Sequence, residues 1–533
     1  MTTLQPRPPY SEAELAALYP PHLRLQLVQI LLRHGERTPV SPRFTNAGLA
    51  PFWPYCSAVR RLRSAVLDPG AGSGSADKSF STLEWKRRLE TFGPNDAPVL
   101  AAGPGRELDG VCEMGMLTDL GRETTLQLGR RLRRLYVDRL GFLPAAIADT
   151  DFMYLRATPV PRALESMQQT LHGLYPAHTR ATDLPPPTIL SRSPADETLF
   201  PNDVNCRRFA ALARAFAQRA ADRWNGSDDM AFLTKQLGRW MPDDSPKVAV
   251  DSHPRLSGIM DTVSATSAHG PQTRLPSEFY DPRVKQVLEK IAVEEWFQGY
   301  KESQEYRTLG IGALLGDVVS RMAVSAEQST ADAEYGAMPK SSAAGATPVR
   351  FALSGCHDTT LAAIIASLGA FGKDEWPPFT SHVAIELFSR ADKPAPSPAA
   401  APLTTSWWPV FLGGSRAGLP PASIGRKPTA DLTDLEKQRL QGHYVRIRYN
   451  DRPITVPGCK APGKHLDGDE SFCTLVCPPP RRSPVTEEFL NDEMVQEAFK
   501  AIVDKFTPRD WKQQCRVNVR ALAFPTKPEP AGY

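Results

Sequence analysis

Two arginines flank a histidine in the segment Arg33-His34-Gly35-Glu36-Arg37. A guanidinium group stays protonated and presents paired donors in one plane, which suits the oxygens of a phosphate dianion. A neutral imidazole held between two such groups can attack phosphorus and form a phosphohistidine. The segment therefore predicts that Arg33 and Arg37 bind phosphate and that His34 is the nucleophile. Gly35 is expected to let the backbone approach the ligand closely.

A second segment, Ser354-Gly355-Cys356-His357-Asp358, supplies a carboxyl group for the same reaction. A leaving alkoxide needs a proton, and Asp358 is the only carboxylate attached to this segment, so it is the predicted general acid and later the base for water. His357 is predicted to help surround the phosphate. This scheme requires no metal and no other cofactor, and no His, Asp and Glu residues occur at metal-ligand spacing.

Short apolar runs precede the reactive residues and predict the strands that position them. The runs cover residues 23–32, 151–155 and 349–353, and the second ends at Arg156, a further predicted phosphate ligand. In an open parallel sheet, ligands bind beyond the carboxyl ends of the strands, so these groups should share one crevice. Each motif alone has a simpler explanation: a turn, a helix cap or a salt-bridged loop. The occurrence of all three motifs in one chain favours a phosphate-binding catalytic site over these simpler explanations.

The remaining pattern predicts an α/β fold with a central, mostly parallel sheet flanked by helices. The predicted catalytic core combines residues 20–48, 111–185 and 349–533. Two segments of the proline-rich remainder, 49–110 and 186–348, are predicted to form an inserted, mainly helical cap that determines substrate specificity. Proline accounts for 51 of the 533 residues, which is consistent with long connections between compact elements.

Composition excludes several classes of function. A net charge of only +4, from 63 basic and 59 acidic residues, lacks the dense basic surface that nucleic-acid binding requires. No run of 18 apolar residues predicts a transmembrane helix. Residues 1–21 have no apolar signal-peptide core, so a cytoplasmic location is expected. The eight cysteines are accordingly expected to be mostly free thiols.

The motifs together resemble those of the histidine acid phosphatases, the second branch of the histidine phosphatase superfamily. The carrying segments, spread with gaps over residues 23–511, are LLRHGERTP (31–39), MLTDLG followed by LGR (116–130), YLRAT with a second arginine (154–162), and SGCHDTTL (354–361). The resemblance implies a phosphoglycerate-mutase-like core and the roles given above for Arg33, His34, Arg37, Arg156, His357 and Asp358. Within the family, the chain resembles intracellular fungal acid-phosphatase-like members.

The chain departs from the family pattern at Ala157 and Pro161, which could alter the pocket wall but remove no catalytic group. We expect a phosphomonoester hydrolase acting on a small-molecule substrate. A lysophosphatidic acid phosphatase and a phytase-like inositol phosphate phosphatase are both compatible with the sequence. So is a non-catalytic module that binds a phosphorylated ligand, although intact His34 and Asp358 argue against it.

Residues 476–496 separate two parts of what resembles one continuous family segment. The stretch opens with Val-Cys-Pro-Pro-Pro, and its ends could be encoded as intron boundaries. It is predicted to be either a surface loop or a gene-model artefact, and in either case to carry no catalytic group.

Overall fold

Strands and helices are interspersed along the described part of the chain. The computed structural model describes residues 2–68, 80–335, 348–372, 375–391, 424–477 and 498–533. The strands are β1 (Leu23–Arg33), β2 (Leu62–Leu67), β3 (Phe80–Trp85), β4 (Glu90–Phe92), β5 (Pro98–Leu100), β6 (Met153–Ala157), β7 (Ile189–Leu190), β8 (Phe351–Cys356), β9 (His382–Arg390), β10 (His443–Tyr449), β11 (Arg452–Ile454), β12 (His465–Leu466) and β13 (Asp469–Thr474). The helices are α1 (Glu12–Leu18), α2 (Asp119–Arg133), α3 (Pro161–Leu174), α4 (Arg207–Trp224), α5 (Asp228–Leu237), α6 (Leu256–Ala268), α7 (Pro282–Glu302), α8 (Gln304–Arg307), α9 (Ala313–Tyr335), α10 (Asp358–Ser367), α11 (Asp434–Leu440), α12 (Phe499–Asp504) and α13 (Trp511–Gln514).

One mixed sheet dominates the fold, in the order β12-β13-β10-β9-β1-β8-β6-β7, with β11 paired to β10. The pairs β1–β8, β8–β6 and β6–β7 are parallel, whereas β9 runs antiparallel to both β1 and β10. The predicted α/β class with flanking helices is confirmed. The sheet is mixed rather than mostly parallel, because the strands that follow α10 add to it in antiparallel directions.

Strand β1 lies inside this sheet and is buried on both faces. Leu27 and Leu31 belong to a core cluster with Ile364 of α10, whereas Val28 and Ile30 pack in another cluster with the side chains of α2 and α3. Alternation of side chains along a strand sends successive residues to opposite faces. The continuous apolar run of the sequence is therefore explained by helices on both sides of the sheet.

The predicted cap region has two different parts. Residues 186–348 contain α4 to α9, and the buried side chains of α4, α6 and α7 share the core cluster that also contains Leu27 and Leu31. Residues 49–110 instead contain two hairpins, β2–β3 and β4–β5. Among the described residues, the first part has only short 3-10 turns besides its strands and the α-helices lie in the second part, and the division into core and cap stays a prediction. Of residues 476–496, only Val476 and Cys477 lie within the described residues.

The cysteines contradict the expectation of mostly free thiols. Three disulfides are formed: Cys56–Cys112, Cys206–Cys515 and Cys459–Cys473. The paired residues lie 56, 309 and 14 positions apart, so only the folded chain brings the partners together. Because disulfides persist in oxidising compartments, the three bonds argue against the cytoplasmic location from which the free thiols were expected, and that location stays a prediction.

Thiol titration tests this pairing. In denaturant without reductant we expect two reactive thiols per chain, from Cys356 and Cys477, which belong to no disulfide. After reduction we expect eight. A count of eight before reduction would contradict the three disulfides.

One helical stretch in the described part of the chain, Gln304–Glu327, is long and apolar enough to cross a membrane. In this fold 67% of its most apolar window is buried inside the protein. The stretch therefore behaves as a core helix.

Candidate active site

The predicted residues converge on one edge of the sheet. Arg33 is opposite Cys356, and Ala157 is opposite Gly355, so β1, β6 and β8 end at the same level. His382, the first residue of the antiparallel β9, is opposite Leu32. The residues that follow β1, β6 and β8 and the residues that precede β9 therefore lie at this edge.

His34 is buried, and its ring is oriented for attack. Its Nδ1 lies 2.9 Å from the carbonyl oxygen of Gly35, which can only accept, so Nδ1 carries the proton and Nε2 is left with a lone pair. Burial, together with the charges of Arg162, Arg37 and Arg33, holds the pKa of His34 well below its usual 6.5. The imidazole therefore stays neutral at pH values where an ordinary histidine begins to gain a proton.

Gly35 also permits close packing within the fold, and its expected role at a ligand stays a prediction. A Cβ at this position would lie 2.3 Å from the carbonyl oxygen of Gly121 in α2. The missing side chain thus allows the reactive segment to pack directly on the first turn of α2. Thr118 reinforces this contact, since its hydroxyl donates to the carbonyl oxygen of Glu36 at 3.1 Å.

Asp358 begins α10 and is held by charged and polar partners. Its Oδ2 lies 2.8 Å from Nη2 of Arg33 and accepts the Trp376 indole N–H at 3.0 Å. Burial alone would raise the pKa of Asp358, but Arg33 and Trp376 outweigh it and lower the pKa to about 2. The carboxylate is therefore ionised in the ligand-free protein.

His357 lies beside the nucleophile, with the two imidazole centroids 5.6 Å apart. Its Nε2 is hydrogen-bonded to the hydroxyl of Thr158 at 3.1 Å. Burial and the charge of Arg162 lower the pKa of His357 to about 3. His357 can therefore contribute a hydrogen bond but no charge near neutral pH.

Arg37 reaches the site from the other side of the crevice. Its Nη1 lies 2.8 Å from Oδ1 of Asp261, a residue of α6. Oδ2 of the same carboxylate lies 3.2 Å from Nη1 of Arg43. Asp261 thus fixes one predicted phosphate ligand, and no local sequence signal connects these residues, which are more than 200 positions apart.

Arg156 is not brought to the site. Its guanidinium group forms a buried ion pair with Glu197 and lies 3.9 Å from Asp317. Glu197 is fully buried and also accepts the backbone N–H groups of Thr198 and Leu199. The side chain of Arg156 therefore belongs to an internal charge network.

Arg162, six residues later, is close to the nucleophile instead. Apart from burial, it is the largest influence lowering the pKa of both His34 and His357. Burial and the neighbouring Arg37 in turn lower the pKa of Arg162 to about 10, so it stays charged. The sequence motif contains this second arginine, but the residue at the strand end is the one that the pattern of strand ends predicts as the ligand.

A cavity of about 450 Å³ opens at this edge of the sheet. The sheet edge contributes Arg33, Arg37 and Asp358 to its lining, and Asp261 and Trp296 face it from α6 and α7. Within the described residues, no group of three or more His, Cys, Asp or Glu side chains could hold a metal ion. The cavity thus presents fixed cations and a carboxylate, and the neutral imidazole of His34 directly follows Arg33 of its lining, which is a set suited to a phosphate ester.

The chain belongs to the histidine phosphatase superfamily (branch 2), whose pattern it matches over residues 24–397. The predicted family is therefore confirmed, and with it the expectation of a phosphomonoester hydrolase.

The chain is also similar to individual proteins of other organisms. A probable acid phosphatase of Schizosaccharomyces pombe is 36% identical over 459 residues, covering 86% of this chain and 91% of the relative. The Homo sapiens lysophosphatidic acid phosphatase type 6 is 25% identical over 372 residues, covering 69% and 75%. A Bifidobacterium longum multiple inositol polyphosphate phosphatase, solved with inositol hexasulfate, aligns with a TM-score of 0.48 at 12% identity, covering 89% and 95%.

Proposed function

We propose that this protein hydrolyses phosphomonoesters through a phosphohistidine formed on His34, with Asp358 as general acid and without a metal ion. The observation that carries the proposal is the hydrogen bond from Nδ1 of His34 to the carbonyl oxygen of Gly35, which leaves Nε2 available for attack. Four groups would bind the phosphate: Arg33, Arg37, Arg162 and His357.

In the first step, the lone pair of His34 Nε2 attacks phosphorus and the bond from phosphorus to the ester oxygen breaks. Asp358 donates its proton to the leaving oxygen. In the ligand-free protein that carboxylate is paired with Arg33. A phosphate dianion next to Arg33 offsets the positive charge that keeps Asp358 ionised, which raises the pKa of Asp358 and allows it to carry a proton.

In the second step, Asp358 accepts a proton from water, and the resulting hydroxide attacks phosphorus as the bond to Nε2 breaks. Inorganic phosphate leaves and His34 returns to its neutral form. The low pKa of His34 supports activity in acid, because the nucleophile resists protonation there.

The test is a hydrolysis screen over alkyl and aryl phosphomonoesters, with and without a chelator. We expect phosphate release that a chelator leaves unchanged. Tight phosphate binding without any turnover would favour the non-catalytic module, and chelator-sensitive turnover would contradict the metal-free step. The lysophosphatidic acid phosphatase and inositol phosphate phosphatase alternatives are compared in the same screen.

Arg162→Ala and Arg156→Ala form a matched pair that tests the reassigned arginine. Arg162→Ala is expected to reduce kcat/KM by about 100-fold or more, because charge stabilisation of the transferring phosphoryl group is lost. It should also shift the acidic limb of the pH profile to higher pH, because removal of a positive charge raises the pKa of His34.

Arg156→Ala is expected to act on stability instead. It leaves Glu197 buried without its ion-pair partner, which typically costs about 3–5 kcal/mol of unfolding free energy. Denaturant unfolding and kinetics of the folded fraction separate the two effects. A large loss of activity in Arg156→Ala at unchanged stability would restore the original assignment.

A further inference from the structure

The segment that precedes β9 contacts several proposed catalytic groups. We call residues Trp376 to Ser381 the 376–381 segment. The Trp376 indole donates to Asp358, and the carbonyl oxygen of Pro377 accepts from Nη1 of Arg33. The backbone N–H of Thr380 donates to the carbonyl oxygen of His34 at 3.3 Å. The segment thus touches the proposed acid, a phosphate ligand and the nucleophile.

Phe379 is the centre of these contacts. Its ring centroid lies 4.1 Å from Cζ of Arg33, 5.8 Å from Cζ of Arg37 and 6.0 Å from the ring of His34. A guanidinium group over an aromatic face is attracted by the ring and restricted in its orientation. Phe379 is only 1% exposed and is not among the residues that line the cavity. It therefore contacts these groups from within the protein and not from the cavity.

The conformation of the segment depends on outside support. Thr380 has φ +66°, in the left-handed region that is unfavourable for a residue with a Cβ. Its hydroxyl lies 2.9 Å from that of Thr124, which itself donates to Oε2 of Glu36 at 2.5 Å. Thr380 is therefore linked through α2 to the reactive segment.

The second support comes from the beginning of the chain. The N–H of Phe379 donates to the carbonyl oxygen of Thr2 at 2.8 Å, and the N–H of Leu4 donates to the carbonyl oxygen of Phe379 at 3.0 Å. Thr3 and Phe379 thus form a parallel bridge. We call Thr2 to Leu4 the N-terminal strap, and it binds both backbone polar groups of Phe379.

We propose that Phe379 is a positioning residue for Arg33, Arg37 and His34, and that the N-terminal strap sets the catalytic rate by holding Phe379 in place. The inference rests on the proposed function. No strap residue lines the cavity, so the strap acts through the 376–381 segment and through Thr3, whose side chain is hydrogen-bonded to Glu36 of the reactive segment. Its loss leaves the reacting groups present but less well oriented, which lowers kcat more than it raises KM.

Leu4→Pro and Gln5→Pro are the matched test. Proline at position 4 removes the N–H that bonds Phe379, whereas the N–H of Gln5 makes no backbone hydrogen bond in the described part of the chain. With one hydrogen bond lost, Leu4→Pro should reduce kcat about 2–10-fold and weaken the binding of inorganic phosphate, measured by calorimetry, by a smaller but measurable factor. Gln5→Pro should behave as the native protein.

The readouts separate positioning from stability. A strap that only stabilises the fold would lower the melting temperature of Leu4→Pro while leaving kcat and phosphate affinity of the folded protein unchanged, and this result would overturn the inference. If Leu4→Pro does not fold, Phe379→Leu replaces it, with an expected loss of about 10-fold in kcat. Native values for Phe379→Leu would equally overturn it.

The proposed function and this inference fail differently. A native protein without turnover on any phosphomonoester would contradict the proposed function. Calorimetry with inorganic phosphate would still show whether the strap positions the arginines, because binding requires no chemistry.

Discussion

His34→Ala is expected to abolish turnover while the protein remains folded. Within the described residues, the imidazole makes one side-chain hydrogen bond, to the neighbouring Gly35 carbonyl, so its removal leaves no distant partner there unsatisfied. Removal of a nucleophile that acts together with its acid typically costs at least about 10⁴-fold in kcat. Steady-state hydrolysis, with circular dichroism and thermal unfolding as the folding controls, measures this loss.

A trapping experiment gives the complementary result. Rapid acid-free quenching of the native enzyme with labelled substrate should leave phosphate on the protein, on a histidine that is absent from His34→Ala. If the variant still hydrolysed a monoester at more than about a hundredth of the native rate, the nucleophile would have to be another residue.

Asp358→Asn is expected to discriminate between leaving groups. Alkyl phosphates require protonation of the leaving oxygen, so their hydrolysis should slow by about 10²–10⁴-fold. The phenolate of an activated aryl phosphate leaves without being protonated, so the hydrolysis rate of these substrates should fall far less. Asparagine keeps an oxygen that can accept the Trp376 indole N–H, so the local structure is expected to survive. The measurement is kcat/KM over a series of leaving groups.

The pH dependence gives Asp358 a second signature. Its pKa is lowered in the free protein, so the protonated fraction rises as the pH falls through the acid range. With an alkyl phosphate, native kcat/KM should therefore rise towards acid more steeply than that of Asp358→Asn on the same substrate. Equal losses on alkyl and aryl substrates, or parallel pH profiles, would indicate a different acid.

Much of the core site could be predicted from the sequence because each reactive segment ends a buried strand. Burial on both faces makes such strands continuous apolar runs, and parallel strands place the residues beyond their carboxyl ends at one edge of the sheet. Arg33, His34, Arg37, His357 and Asp358 are close together for this reason.

Arg156 and Arg162 could not be distinguished correctly from the sequence. Arg156 lies at the end of its strand, but its partner Glu197 lies 41 positions away. The residues around Arg156 in the sequence do not indicate that it forms an ion pair with this carboxylate. Arg162 lies within α3, in the segment after the strand, yet it is the one near His34. Which of two arginines faces a ligand depends on tertiary contacts.

Phe379 and Trp376 were missed for a topological reason. They precede a strand instead of following one, and only the antiparallel direction of β9 brings them to the edge where β1 ends. The direction in which a strand adds to a sheet is poorly encoded in its own residues, since both directions accept the same apolar run. The disulfides were missed similarly, because the pairing of distant cysteines needs the fold.

The position of β1 in the sheet also affects how the protein is made. Both of its partner strands, β8 and β9, lie more than 300 residues later in the chain. At a synthesis rate of ~5–20 residues per second, the apolar strand waits roughly 20–70 s on the ribosome before β9 exists to cover its edge. Nascent chains should therefore depend strongly on chaperones that shield exposed strands. No truncated product that ends before β9 can assemble this sheet edge.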